Sequence, residues 1–211
     1  MLKLYNRERS GNCYKVRLML SLLGLEYEKI PVDRHGKGRN IVPEDYEQLS
    51  PLRQIPLLVA DGVAYWGTIA ILVYLARKYG GEQWLPADAD GEAQVTQWLS
   101  LAQNEIFYGL GRARSMRGGR WHGYGTLTEA HEIAERALKV LEERLQGHPW
   151  LALDRVTIAE RQAAEAVPFR LIGPAVAGRQ LVDGFRFHRR ELQRDRQIDH
   201  CAHGDAFLPA R

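Results

Sequence analysis

The segment LLVADGVAYW, residues 57–66, constrains the fold of this chain more than any other stretch. Two apolar runs flank Asp61-Gly62, a dipeptide that favours the two-residue turn of a β-hairpin. The other elements predicted in the first part of the chain are strands at 2–5 and 27–32 and helices at 15–23, 43–49 and 69–79. The order strand, helix, strand, helix, hairpin, helix predicts an α/β module.

Small and hydroxyl residues mark the predicted helix ends. Gly24 is placed to end the first helix in a left-handed conformation. Thr68 is predicted to cap the start of the third helix. Thr157 and Glu160 have the spacing of a capping box, which predicts another helix start in the second part of the chain.

The character of the sequence changes after residue 80. GGEQWLPADAD, residues 80–90, is typical of a linker, and the patterns at 92–110 and 126–147 are helical. The sequence therefore predicts an α/β domain at 1–80 and an all-helical domain at 88–211.

The segment 161–211 is atypical within this helical domain. Pro168 and Pro174 interrupt helices, arginine and histidine dominate, and the apolar period is poor. Three interpretations stay open: a divergent tail, a partly disordered segment, or a difference in reading frame relative to related proteins.

Composition excludes several classes of function. The net charge of +3 is too slight to indicate a nucleic-acid partner. The two cysteines, Cys13 and Cys201, form neither a disulfide framework nor a zinc motif, and we expect no bound metal. The N-terminus is too charged for a signal peptide, and no apolar run approaches the ~20 residues that span a bilayer. These features predict a cytoplasmic protein with no membrane partner.

The stretch RSGNCYKVRLML, residues 9–20, offers two candidate reactive groups before a helical run. If Cys13 were a nucleophile, the protein would be a thiol enzyme. If Ser10 faces the substrate, another molecule must supply the reactive group. No second cysteine stands at CxxC spacing, which argues against a thioredoxin-type oxidoreductase.

Three segments together resemble the soluble glutathione transferases over residues 1 to about 160. They are RSGNCYKVRLML, SPLRQIPLLVADGVAYWGTIAILVYLARKY and WLALDRVTIAE. The resemblance, closest to serine-type and bacterial-like members, implies a thioredoxin-like N-terminal domain (βαβαββα) followed by an all-helical domain. It also implies glutathione as cosubstrate.

The resemblance assigns the thiol-activating role to Ser10, which lies six residues before Val16 as in serine-type members. Its hydroxyl would stabilise the glutathione thiolate, and Asn12 would add a second donor. Cys13 then is a packed small residue rather than a nucleophile.

The same resemblance places the rest of glutathione on two further elements. Ile55-Pro56 matches a cis-proline element in which Ile55 pairs with the cysteinyl part, and Gln54 would reach the glycyl carboxylate. Arg53, where the family often has glycine, adds positive charge near the carboxylates. An ordinary trans proline before an edge strand is the alternative.

The pair Gly67-Thr68 corresponds to the position where family members bind the γ-glutamyl end with an acidic residue and then a serine. Thr68 keeps the hydroxyl, but Gly67 carries no carboxylate to meet the ligand ammonium. A lost charge-assisted hydrogen bond costs about 1.5–3 kcal/mol, so we expect weakened glutathione binding.

Asn104, Tyr108 and Arg112 recur at a spacing of four residues on one predicted helical face. We expect them to contact the electrophilic acceptor, with a plain exposed or interdomain face as the alternative.

The sequence thus predicts a glutathione transferase that attacks small electrophiles, and a homodimer as in the family. The alternatives are a weakly catalytic or non-catalytic binding protein of the same fold, or a glutathione-dependent peroxidase or disulfide-exchange activity.

Overall fold

The structure is a computed structural model that describes residues 1–33, 42–119 and 123–163. Its regular elements are, in chain order, β1 Leu2–Asn6, α1 Gly11–Leu22, β2 Tyr27–Pro31, α2 Tyr46–Leu49, β3 Leu57–Ala60, β4 Val63–Trp66, α3 Thr68–Leu75 with a π-helical extension Ala76–Gly80, α4 Ala89–Leu101 with a π-helical extension Ala102–Gly111, α5 Arg112–Arg117, α6 Leu127–Gly147 and α7 Ile158–Ala163. Most of the atypical segment, from residue 164 onward, lies outside the described residues.

The four strands form one mixed sheet in the order β2-β1-β3-β4. β1 runs parallel to β2 and antiparallel to β3, and β4 runs antiparallel to β3. Asp61 and Gly62 both have positive φ, at 52° and 82°, which the favoured two-residue hairpin turn requires. The predicted hairpin is therefore confirmed.

The predicted end of α1 is also confirmed. Gly24 has a φ of 65°, and the Leu25 amide donates to the Leu20 carbonyl at 2.9 Å across the helix end. The helix begins at Gly11 rather than at residue 15, because the preceding serine caps it.

Two further predicted helix starts, those of α3 and α2, were also wrong. Gly67, not Thr68, is the N-cap of α3, since the Gly67 carbonyl accepts the first helical bond from Ile71 at 3.1 Å. Thr68 is the first helical residue and is buried. α2 covers only Tyr46–Leu49, because Pro43 forms a turn with Tyr46 before it.

Alternation along β1 divides the core between the two faces of the sheet. Leu2 and Leu4 join the main cluster, which includes buried residues of α1 and α3, whereas Tyr5 faces a second cluster. The buried members of this second cluster are Tyr5, Val32, Tyr46 and Leu57. Helices therefore cover both faces, as expected for the thioredoxin-like arrangement.

The main core continues from the sheet module into the helices that follow. Buried residues of α4, α6 and α7, among them Val95, Leu138 and Ile158, belong to the same cluster as Leu4. The connecting segment is fixed by a bond from the Ile158 amide to the Trp84 carbonyl at 3.1 Å. A mixed sheet module followed by helices confirms the predicted fold class. Among the described helices, none is long and apolar enough to cross a membrane.

Glu160 organises the turn before α7. Its carboxylate accepts from the Leu151 amide at 2.8 Å, from the Thr157 amide at 2.7 Å and from the Thr157 hydroxyl at 2.9 Å. The Thr157 hydroxyl in turn accepts from the Ala159 amide at 3.1 Å. The predicted capping box is thus present in a modified form, in which Thr157 caps residue 159 instead of residue 160.

We expect Glu160→Ala to lower the free energy of unfolding by about 3 kcal/mol, because it leaves three buried hydrogen-bond donors without an acceptor. Urea unfolding of both proteins measures this difference. Glu143→Ala is the control, since Glu143 and its ion-pair partner Lys139 are both exposed. Equal stability of the two variants would show that Glu160 does not fix this turn.

Candidate functional site

The sheet topology brings three predicted site segments to one edge. β1 ends at Asn6. Tyr5, the residue before it, pairs with Leu57 at the start of β3. Leu57 also pairs with Trp66 at the end of β4. The segment after β1, the segment before β3 and the segment after β4 therefore meet at the same end of the sheet.

Ser10 lies at this edge as the N-cap of α1. Its backbone is extended, and its Oγ accepts a hydrogen bond from the Cys13 amide at 3.3 Å. The Ser10 hydroxyl also has one proton, which it can donate to a ligand when it turns away from the buried Cys13 thiol. The positive end of the helix dipole favours an anion beside it. The arrangement can therefore stabilise a thiolate.

Asn12 follows in the first turn of α1. Its Oδ1 accepts from the buried Nζ of Lys15 at 3.1 Å. With the oxygen turned toward Lys15, the amide nitrogen is the group left to donate elsewhere. This orientation suits the donor role predicted for Asn12.

Cys13 is fully buried. Burial raises the pKa of the Cys13 thiol, although hydrogen bonds from the Arg7 backbone and the Ser10 side chain act in the opposite direction. A buried thiol that resists ionisation is a poor nucleophile. The structure therefore supports the interpretation of Cys13 as a packed residue.

The Ile55-Pro56 peptide bond is cis, as predicted. The turn before it is held by Ser50, whose hydroxyl donates to the Gln54 carbonyl at 3.2 Å and accepts from the Gln54 amide at 3.1 Å. Gln54 is exposed and Ile55 is partly buried. The backbone groups of Ile55 lie directly before β3, at the edge shared with Ser10.

Arg53 adopts a φ of 52°, in the region that favours glycine. This conformation accounts physically for the glycine expected at this position. The guanidinium is mostly exposed and pairs with Glu47 at 3.4 Å. Part of the charge that we expected near the ligand carboxylates is therefore shared with Glu47.

Gly67 has a φ of 86° and a ψ of 127°, a backbone conformation that side chains rarely adopt. A Cβ added there would meet no atom within 4 Å, so the cost of substitution is conformational rather than steric. Thr68 follows at the start of α3, and its hydroxyl lies at the positive end of that helix.

The predicted acceptor residues differ in exposure. Asn104 and Tyr108 are exposed on the π-helical segment that extends α4. Arg112, at the start of α5, is 8% exposed, with its guanidinium packed against Gly125. It also helps to lower the pKa of Glu129, after the larger effect of hydrogen bonds from Thr126. The three residues therefore do not form one exposed surface.

Sequence reasoning missed three residues that organise the site. Ser50 holds the turn before the cis bond, Lys15 orients Asn12, and Arg17 bonds the loop after β1. The Ser50-Pro51 pair was a local turn signal for the first. The other two depend on folding contacts that the sequence pattern does not display.

Among the described residues, no group of histidine, cysteine, aspartate and glutamate side chains could hold a metal ion. The polar groups at this edge include the Ser10 hydroxyl and the Asn12 amide.

Comparison with known proteins identifies the same module. Residues 4–83 match the model of the glutathione S-transferase N-terminal domain. Maleylacetoacetate isomerase of Rattus norvegicus is 34% identical over 103 residues, which are 49% of this chain and 48% of that protein. The chain spans about half the length of the first curated relatives that it matches.

Solved structures extend the likeness into the helical part. A possible glutathione S-transferase from Rhodopseudomonas palustris superposes with a TM-score of 0.67 at 32% identity, over 78% of this chain and 80% of that one. A glutathione S-transferase from Pseudomonas fluorescens gives a TM-score of 0.64 at 33% identity, over 78% and 81%. This chain belongs to the glutathione S-transferase family.

We expect Gly67→Asp to bind glutathione at most about tenfold more tightly than Gly67→Asn, since the added charge is exposed to salt screening. Both side chains bear the same backbone strain at position 67, so their comparison isolates the carboxylate. Calorimetric titration measures both affinities. Equal affinities would show that another group already meets the ligand ammonium.

Proposed function

We propose that this protein is a serine-type glutathione transferase, similar to bacterial members of the family. It binds glutathione at the edge of the sheet and activates its thiol for attack on a small electrophile. The observation that carries the proposal is Ser10, the cap of α1, at the same edge as the cis Ile55-Pro56 bond and the start of α3.

The thiolate is stabilised at the start of α1. The Ser10 hydroxyl donates to the sulfur, and the Asn12 amide supplies a second hydrogen bond. Each bond to an anion stabilises it by about 1.5–3 kcal/mol, and the helix dipole adds to this effect. The sulfur then forms a bond to the electrophilic carbon of the acceptor, and the leaving group departs.

The remaining parts of glutathione extend along the same edge. Ile55 pairs through its backbone with the cysteinyl residue, in the manner of an added strand. Gln54 and Arg53 lie toward the glycyl carboxylate. Thr68 and the start of α3 bind the carboxylate of the γ-glutamyl residue. Because position 67 is glycine, this motif offers no acidic side chain to the ammonium group of that residue.

The acceptor lies against the π-helical segment, where Asn104 and Tyr108 are the exposed polar candidates. Arg112 is buried and is not part of this exposed surface. A homodimer and a cytoplasmic location belong to the same proposal and rest on the family resemblance.

A second candidate function is a binding protein with weak or absent catalysis. The observation that favours it is Gly67, which lacks the acidic side chain expected for tight glutathione binding. Peroxidase or disulfide-exchange activity would use the same activated thiol. Conjugation to 1-chloro-2,4-dinitrobenzene, measured beside reduction of cumene hydroperoxide, distinguishes these activities.

We expect Ser10→Gly to lower kcat/KM for conjugation about tenfold or more, because one hydrogen bond to the thiolate is lost. Glycine is chosen because it replaces a serine cap at a cost of only a few tenths of a kcal/mol, whereas alanine also weakens the helix. Steady-state kinetics and the ultraviolet absorbance of bound thiolate measure the effect.

Ser10→Thr is the matched control, since it keeps both the hydroxyl and a competent cap. It should retain most of the conjugation rate. Full activity in Ser10→Gly would remove Ser10 from the mechanism.

A further inference from the structure

We propose that Arg17 is a positioning residue, which clamps the loop Arg7–Ser10 and so holds Ser10 at the start of α1. This inference rests on the proposed function for the catalytic consequence, while the clamp itself can be tested without glutathione. Arg17 contacts the loop and not the reacting atoms.

The Arg17 guanidinium reaches the chain at three consecutive residues. Its Nη1 donates to the Asn6 Oδ1 and, at 3.4 Å, to the Arg7 carbonyl. Its Nη2 donates to the Glu8 carbonyl at 3.2 Å. Only 13% of the Arg17 side chain is exposed. The bonds to Asn6 and Arg7 are partly buried, whereas the bond to the Glu8 carbonyl is exposed.

One of these acceptors couples the clamp to Ser10. The Arg7 carbonyl that faces Arg17 also accepts from the Ser10 amide at 3.1 Å. Ser10 then caps the helix by accepting from the Cys13 amide. Since Arg17 lies in α1 itself, the helix binds back onto the loop that leads into it.

The bonds to Asn6, Arg7 and Glu8 require the planar guanidinium group of arginine. Arginine presents several donors in fixed directions, whereas lysine offers a compact charge on a flexible stem. A lysine at position 17 would keep the positive charge but not the simultaneous bonds to Asn6, Arg7 and Glu8. The conservative substitution therefore separates bonding geometry from charge.

Lys29 supplies a matched control within the same network. It contacts the Glu8 carboxylate at 2.9 Å, and it is the main cause of the lowered pKa of that group. Arg17 approaches the same carboxylate at 3.8 Å. Within the described part of the chain, Lys29 contacts the Glu8 carboxylate and no backbone group of the loop. Its removal therefore changes the charge around Glu8 while leaving the clamp in place.

Cys13 reports on the loop directly. The thiol is fully buried and is hydrogen-bonded to the Arg7 backbone and the Ser10 side chain. If the loop opens, the thiol gains access to solvent and reacts with an alkylating reagent. The reaction rate of Cys13 therefore measures how firmly residues 7–10 are held.

The experiment compares Arg17→Met, Arg17→Lys and Lys29→Met, each with Cys201→Ser so that Cys13 alone reacts. Iodoacetamide alkylation of the native proteins gives the opening rate, and conjugation to 1-chloro-2,4-dinitrobenzene is followed across pH. Circular dichroism and urea unfolding establish that each variant is folded.

We expect Arg17→Met to react at Cys13 about tenfold faster, corresponding to the loss of one charged hydrogen bond, with a smaller increase in Arg17→Lys. In both Arg17 variants the apparent pKa in the pH profile of kcat should rise, because the bound thiolate loses part of its stabilisation. In Lys29→Met this apparent pKa should match that of the parent protein. Arg17→Lys keeps the test decisive if Arg17→Met does not fold.

Unchanged Cys13 reactivity in the folded Arg17 variants would overturn the clamp. An equal response in Lys29→Met would do the same, because it would assign the effect to charge alone. If Cys13 accelerates as expected but the parent protein forms no conjugate, the clamp stands and the proposed transferase function fails.

Discussion

The cap that Ser10 places on α1 is the interaction on which the proposed site depends. It fixes the point where the chain leaves β1 and becomes helical, and it directs the start of the helix toward the edge of the sheet. β3 begins and β4 ends at that edge. The cis Ile55-Pro56 bond and the start of α3 therefore lie at the same edge as Ser10. Two helix starts and the backbone before β3 thus lie at one edge of the sheet, where we propose that glutathione binds.

Features governed by local chemistry could be predicted from the sequence. Asp61-Gly62 specified the hairpin because both residues tolerate positive φ, and Gly24 ended α1 for the same reason. The Ile55-Pro56 geometry followed from the family resemblance, since spacing alone does not distinguish cis from trans proline. The division between sheet and helices followed from the change in hydrophobic period after residue 80.

Features governed by long-range contacts could not be predicted. Hydroxyl propensity favoured Thr68 as a cap, but the backbone of Gly67 turns one residue earlier. Helical spacing placed Arg112 with Asn104 and Tyr108, but packing against Gly125 buries it. The bonds from Arg17 to the loop depend on how α1 returns over the end of β1, which no local pattern encodes.

The central claim is that glutathione binds at this edge with its sulfur at the start of α1. Titration of the ¹⁵N-labelled protein with glutathione, followed by amide chemical shifts, tests it most directly. We predict saturable shifts at Ser10, Asn12, Gln54, Ile55 and Thr68, with the exposed end of α6 unaffected. Saturable binding that leaves these amides unchanged, or no binding at millimolar glutathione, would contradict the account.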